Sequence, residues 1–281
     1  MTRVLRQRLA ALEMPVDGAA ITPLSGGDSG AGLWRVDGAT PFIVKRDTPE
    51  RVAGEADGLR ALGAVCRKLI VPEVLAEDGD LLIMQALEST GKRDGAALGE
   101  GLRQLHRDSR DADAGHGWSR DNACGLTPQP NAPLADGRAF QRDRRLLPLM
   151  RGCHERDVLD AALAGRVERA ADSLERWLEQ APSSLVHGDL WSGNVLFTPQ
   201  GPAIIDPAVY RHYPDVDVAM LTLFGGPGDA FFEAYWDGDR PADWERREAL
   251  FQLYPLLNHL YLFGGTYRHG VARAADRILA G

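Results

Sequence analysis

Asp189, Asn194 and Asp206 place two carboxylates and one amide within a short stretch of the chain. Asp189 and Asn194 lie five positions apart, and Asp206 follows Asn194 by twelve positions, at the end of an apolar run. Phosphoryl transfer needs such a set, because one carboxylate orients the attacking hydroxyl and two oxygen ligands hold Mg²⁺ on the nucleotide phosphates. The stretch predicts Asp189 as the catalytic base, with Asn194 and Asp206 as Mg²⁺ ligands. Turns at Gly188 and Gly193, capped by these polar residues, would explain one isolated triplet but not the whole set.

Two residues near this stretch are predicted to support it rather than to react. His187 directly precedes Gly188, and no second histidine sits at metal-ligand spacing, so hydrogen bonding that braces the loop is the favoured role. Asp217 begins an apolar helical segment, where it could cap the helix or brace the catalytic loop by accepting backbone hydrogen bonds.

Lys45 ends the apolar run 42–44, which predicts a strand. An ammonium group at that point can reach the α- and β-phosphates of ATP while a carboxylate on a facing helix holds it. Glu55, on the helix predicted after this strand, is the best partner. The alternative, a solvated surface pair, is disfavoured by the catalytic stretch.

A glycine-rich segment, residues 25–32, lies between two predicted strands. Gly26 and Gly27 could turn their backbone amides toward phosphates, although the segment lacks the terminal Gly-Lys-Ser/Thr of a Walker A loop. Asp28 is an unusual neighbour for phosphates, so it is interpreted as a turn residue or a substrate contact.

Residues 84–88 follow the last predicted strand of the first part of the chain. A connection at this place would present groups to adenine, which makes Met84, Gln85 and Leu87 candidate nucleotide contacts. Met84 could gate the pocket or fill the core, since methionine suits either position.

Four side chains could surround an acceptor molecule: Trp191, Trp118, Tyr210 and His212. Trp191 lies inside the catalytic stretch, close to the expected position of the substrate hydroxyl. Aromatic faces suit the apolar face of a sugar or an amino-acid side chain. About two of these four side chains are expected to pack in the core instead.

The composition bounds these interpretations. The formal net charge of −8 over 281 residues argues against a nucleic-acid-binding face. Three distant cysteines show neither zinc spacing nor a disulfide framework, and we assign them no role: Cys66, Cys124 and Cys153. With no signal-peptide core and no apolar run that could cross a bilayer, a cytoplasmic protein without membrane contacts is expected.

The periodicity predicts an α+β chain with two lobes. Residues 1–88 alternate between strands and helices and predict a small, β-rich nucleotide-binding lobe. Residues 89–281 predict a larger, mainly helical lobe that carries the catalytic stretch and the acceptor site. Predicted helices include residues 3–12, 51–62, 138–149, 166–178 and 244–263, and residues 116–133 are predicted to form a loop.

With these residues in place, the chain resembles the fructosamine kinase and ketosamine 3-kinase family, within the aminoglycoside and choline kinase-like group. The catalytic spacing also matches the catalytic loop of protein kinases, with Gly188 where they usually carry Arg. The matching segments are 42–45, 55–59, 121–129, 144–146, 187–194, 206–208, 217–220, 223–226 and 253–259.

The resemblance implies a protein-kinase-like fold that uses ATP and Mg²⁺. It also implies a ketoamine acceptor, free or on a protein lysine, that is phosphorylated on its third carbon. Such phosphates decompose and free the amine, so the implied role is deglycation. Monomer and homodimer both stay open, as does ribulosamine against fructosamine.

Several positions depart from the family pattern: residues 210–215, Gln85, Ala86 and Pro148. They leave open a kinase that acts on another acceptor, such as an aminoglycoside, choline or a free sugar. A non-catalytic nucleotide-binding module is the third alternative, and the complete catalytic set argues against it.

Overall fold

A computed structural model describes residues 2–24 and 32–280, apart from the side chain of Thr2. Gly26 and Gly27, the predicted phosphate contacts, and Asp28, the predicted substrate contact, lie outside the described residues.

The described residues of the first part of the chain form a five-stranded antiparallel sheet. Its strands are β1 (Ala20–Pro23), β2 (Gly32–Asp37), β3 (Phe42–Arg46), β4 (Val74–Asp78) and β5 (Leu81–Gln85). Their spatial order is β1-β2-β3-β5-β4. Helix α1 (Thr2–Ala11) and helix α2 (Pro49–Val65) complete this part.

Alternation along β3 divides its side chains between two cores. Phe42 and Val44 join the cluster that includes Leu9 of α1, whereas Ile43 packs beside the cluster of α2. Successive side chains of a strand point to opposite faces. Lys45 therefore lies on the face that α2 covers.

The rest of the chain is mainly helical around one large apolar core. Its helices are α3 (Gly95–Asp108), α4 (Gly137–Phe140), α5 (Leu147–Glu155), α6 (Ala161–Asp172), α7 (Leu174–Trp177), α8 (Asp215–Leu223), α9 (Asp229–Trp236), α10 (Trp244–Phe263) and α11 (Arg268–Leu279). A π-helical segment, Gln141–Leu146, joins α4 to α5. None of the helices in the described ranges is long and apolar enough to cross a membrane.

Three short antiparallel strand pairs stand among these helices. They are β6 (Asn122–Cys124) with β7 (Thr127–Gln129), β8 (Ser184–Val186) with β11 (Tyr210–His212), and β9 (Val195–Thr198) with β10 (Gly201–Ile204). The small sheet followed by a mainly helical part confirms the predicted α+β, kinase-like class. The lobe boundary at residue 88 stays a prediction; it falls in the connection between β5 and α3.

The structure corrects several predicted elements. The predicted loop 116–133 contains the β6–β7 hairpin, and the predicted helix 138–149 contains the π-helical segment. The predicted helix 166–178 is α6 and α7, of which α6 begins early because the Asp160 side chain accepts a hydrogen bond from the Leu163 amide. Strands of three residues carry too little alternation to be predicted from sequence.

Candidate active site

The catalytic loop follows β8 and turns sharply at Gly188, whose φ is +81°. A Cβ atom at this position would lie 2.2 Å from the carbonyl oxygen of Ala208. Only glycine fits both the left-handed backbone and this close approach. The need for glycine where protein kinases usually carry Arg is therefore local and steric.

Asp217, in the first turn of α8, binds the backbone of the catalytic loop. Its fully buried carboxylate accepts hydrogen bonds from the backbone amides of His187 and Gly188, at 2.8 and 2.9 Å. The same carboxylate lies 3.1 Å from Nε2 of the buried His106. Asp217 therefore braces the loop, one of the two structural roles that the sequence left open.

His187 is a structural residue, as predicted. Its Nε2–H donates to the carbonyl of Ile205 at 2.9 Å, and its Nδ1 accepts from the amide of Asp189 at 3.3 Å. Burial lowers the pKa of His187, which keeps the ring neutral with one donor and one acceptor. The ring thus connects the loop that carries Asp189 to the segment that carries Asp206.

The three groups of the catalytic stretch meet at the floor of one cavity. The amide nitrogen of Asn194 donates to the backbone carbonyl of Asp189 at 2.9 Å, which fixes the orientation of the Asn194 side chain. Asp206 adopts a left-handed conformation with φ +54°, uncommon for a residue other than glycine. Such conformations concentrate at functional sites, where the surrounding structure enforces them.

Lys45 bridges the two parts of the chain. Its Nζ lies 2.7 Å from Oε2 of Glu55 on α2 and 3.2 Å from Oδ1 of Asp206. Burial opposes the charged amine, but the carboxylates of Glu55 and Asp206 outweigh burial and raise the pKa of Lys45. The side chain stays a cation directed into the cavity, where phosphate groups would bind.

The surroundings of Asp189 shift the pKa of its carboxyl group toward neutral pH. Burial, reinforced by the negative charge of Asp206, raises the pKa of Asp189 to about 7. A hydrogen bond from the thiol of Cys124 opposes this shift. A general base works best when its pKa lies near the working pH.

The cavity has a volume of about 740 Å³ and is lined by both charged and uncharged side chains. Its charged lining residues, here called the phosphate end, are Lys45, Asp47, Arg51, Glu55, Asp189 and Asp206. The rest of its lining is mainly uncharged, and the residues here called the acceptor end include Leu126, Trp191, Phe224, His259, Phe263 and Tyr267. Trp191 lines this cavity, and its contact with the acceptor stays a prediction. A Cβ atom on Gly193 would lie 2.2 Å from its indole ring, so glycine there lets the ring fold over the loop.

The predicted acceptor contacts of Tyr210 and His212 are corrected. Both residues belong to β11, which pairs with β8, and their exposed fractions are 1% and 0%. Tyr210 packs under the guanidinium group of Arg145, and His212 lies 3.0 Å from both His116 and Gln141. They support the catalytic loop from within the core.

Other predicted contacts lie away from the cavity. Trp118 donates its indole N–H to Asp57 of α2 at 2.6 Å. Met84 is buried in the cluster of α2, in line with the core alternative that the sequence left open, and its predicted contact with the nucleotide stays a prediction. Gln85 is exposed and Leu87 is half-buried, and neither borders the described cavity. Their contact with adenine stays a prediction.

Sequence reasoning assigned no role to several residues that line the cavity. Phe224 and His259 lie within the segments that resemble the family, but such a resemblance does not show where a side chain points. Phe224 follows α8 directly and Phe263 ends α10. An exposed aromatic residue at a helix end is the signal that could have found them.

The donor set fits Mg²⁺. Asn194 and Asp206 offer an amide and a carboxylate oxygen, and Mg²⁺ prefers hard oxygen ligands with phosphate oxygens and waters beside them. Within the described ranges, no group of three or more His, Cys, Asp or Glu side chains is placed to hold a metal. Two protein ligands beside the ammonium group of Lys45 suit a metal that arrives with a nucleotide.

Comparisons with known proteins agree with this geometry. A probable ketoamine kinase of Synechocystis is 35% identical over 272 residues, which cover 91% of this chain and 89% of that protein. A chloroplastic protein-ribulosamine 3-kinase of Oryza sativa is 32% identical over 254 residues, which cover 86% and 73%.

Solved structures give the same result. A candidate fructosamine-3-kinase from Thermobifida fusca superposes with a TM-score of 0.86 at 32% identity, over 94% of each chain. An aminoglycoside phosphotransferase solved with ADP and hygromycin B has a TM-score of 0.63 at 18% identity, covering 98% and 96%, which shows a shared fold alone.

A family model described as fructosamine kinase matches residues 1–281. The chain therefore belongs to the fructosamine kinase family and is a phosphotransferase.

Proposed function

We propose that this protein transfers the γ-phosphoryl group of ATP to the 3-hydroxyl of a ketoamine, with Mg²⁺ as the metal. The observation that carries the proposal is the junction of Lys45, Asp206 and Asp189 at the floor of a cavity with an uncharged, aromatic acceptor end. The names of the relatives, ketoamine kinase and protein-ribulosamine 3-kinase, support this acceptor class.

Each residue has a defined task in the transfer. Asp189 accepts the proton of the 3-hydroxyl as the bond between that oxygen and the γ-phosphorus forms. The bond from the γ-phosphorus to the β,γ-bridging oxygen breaks, and ADP leaves. Lys45 holds the α- and β-phosphates in line. Asn194 and Asp206 would hold Mg²⁺, which neutralises phosphate charge when bound.

The acceptor decides between this proposal and its alternative. The purified protein is given MgATP with ribulosyl-lysine, fructosyl-lysine, free ribose, choline or kanamycin, and ADP release is measured. Turnover confined to the two ketoamines is the expected result, and their ratio ranks the sugars. Turnover on kanamycin or choline but not on the ketoamines would overturn the proposal. Omission of Mg²⁺ should abolish turnover.

Decomposition of the product would assign a deglycating role. The phosphorylated ketoamine is incubated after the kinase is removed, and the release of free lysine is followed. Release of the amine from the phosphorylated ketoamine, but not from its precursor, is expected.

A further inference from the structure

The mouth of the active-site cavity is unusually apolar. Within the described part of the chain, six large hydrophobic side chains are exposed, and three of them line this cavity. Leu126, Phe224 and Phe263 are 45%, 39% and 51% exposed. Single exposed hydrophobic residues are ordinary, but a cluster beside a catalytic cavity points to a ligand.

Aromatic rings connect this mouth to the catalytic loop. The ring of Trp191 lies 6.3 Å from that of Phe224, which lies 5.0 Å from His259. His259 in turn lies 5.6 Å from Phe263 and 4.9 Å from Tyr267. These five residues, here called the aromatic wall, run from beside the base to the surface.

The wall carries no fixed positive charge. Lys45 and Arg51 are the lysine and arginine side chains that line the described cavity, and both are already paired, Lys45 with Glu55 and Asp206 and Arg51 with Asp47. His259 donates its Nδ1–H to the carbonyl of Pro255 at 2.7 Å. A carboxylate placed against the wall would therefore lose water without gaining a lysine or arginine partner, which is costly.

The chemistry of a ketoamine sets which part of it meets the wall. Its nitrogen is bound to the first carbon, two carbons from the hydroxyl that must face Asp189. The phosphate end is filled by ATP, so the substituent on nitrogen leaves along the acceptor end. Aromatic faces attract a protonated amine and cover an apolar substituent, but they do not compensate an anion.

We propose that the aromatic wall selects ketoamines whose amine substituent is apolar and has no carboxylate beside the nitrogen. The inference rests on the proposed function and names the class of amine within it. Ketoamines of alkylamines and arylalkylamines are the preferred acceptors, and ketoamines of free α-amino acids are disfavoured.

A matched pair of acceptors tests this selection. The ribulosamines of 2-phenylethylamine and of phenylalanine differ only in the carboxylate. We expect kcat/KM to be about tenfold higher for the phenylethylamine compound, since one uncompensated polar contact commonly costs that factor or more. Equal values for the two compounds would overturn the proposal.

The second test looks for a gain of activity, which a misfolded variant could not produce. Phe263→Arg adds a cation at the end of α10, so kcat/KM for the phenylalanine compound should rise about fivefold while that for the phenylethylamine compound falls. Leu75→Arg is the matched control, because Leu75 is 40% exposed on β4 and lies outside the cavity. It should leave both values unchanged.

Two outcomes separate failure of this inference from failure of the proposed function. No turnover of any ketoamine would defeat the proposed function. Turnover of both compounds with a preference that Phe263→Arg does not alter would defeat the inference alone. Light scattering could instead show that Phe263→Arg changes a dimer to a monomer while the preference between the two compounds stays the same. That result would show that the mouth of the cavity is a contact surface for a second copy of the chain.

Discussion

At the scale of single residues, the burial that suits Asp189 to its proposed role as a base also costs stability. A buried carboxylate is useful as a base because burial raises its pKa, and the same burial disfavours its charged form in the folded protein. With a pKa of about 7 in the folded protein and about 3.9 in the unfolded chain, Asp189 binds more protons when folded. Its contribution to stability therefore falls as pH rises from about 4 to about 7.

Asp189→Asn should stabilise the free protein at alkaline pH. In metal-free buffer without nucleotide, the gain in the free energy of unfolding should be about 2–3 kcal/mol larger at pH 8 than at pH 5. Urea unfolding of both proteins at the two pH values measures it. Asp113→Asn, at an exposed position, is the control. A gain that does not depend on pH would contradict the raised pKa.

At the scale of elements, α2 is the part that connects phosphate binding to the catalytic floor. It carries Glu55, and it rests directly on the segment that follows Asp206. A Cβ atom on Gly58 would lie 3.1 Å from Val209 and 3.3 Å from Pro207. Close packing at Gly58 thus helps to set the distances among Lys45 and its two carboxylates.

Gly58→Ala should weaken ATP binding more than acceptor binding. The added methyl group pushes α2 from Pro207, so KM for MgATP should rise severalfold while KM for the ketoamine changes little. Gly63→Ala is the matched control on the same helix, because nothing lies within 4 Å of its added methyl group. That control should instead gain about 0.5–1 kcal/mol of stability from helix propensity.

Steady-state kinetics with each substrate varied separately, together with thermal unfolding, distinguish the two variants. An unchanged KM for MgATP in Gly58→Ala would show that α2 does not need this contact. An equal rise of both KM values would show general damage to the site rather than a shift of α2.

At the scale of the whole molecule, the sequence predicted contacts between residues that lie close together along the chain. Asp189, Asn194 and Asp206 lie within 18 positions, and their spacing alone predicted one shared site. The Lys45–Glu55 ion pair was also predicted, because a strand followed by a helix brings such positions together.

What the sequence did not predict depends on contacts between distant segments. Tyr210 and His212 follow the catalytic stretch closely, yet pairing of β11 with β8 buries both. The aromatic wall combines the catalytic loop with the ends of α8 and α10, so a local pattern can mark single members of the wall but not show that they meet. Periodicity shows that a helix has an apolar face but not what that face meets.

Replacement of Asp189 by Asn tests whether this residue is the base that lets the protein phosphorylate a ketoamine. Wild type and Asp189→Asn are mixed with MgATP and ribulosyl-lysine, and phosphorus NMR follows the product while calorimetry measures ATP binding. Wild type should form a phosphate ester on the 3-hydroxyl. The variant should bind ATP with little change and lose turnover by several orders of magnitude. Near-normal turnover in the variant, or an ester on another hydroxyl, would contradict the account.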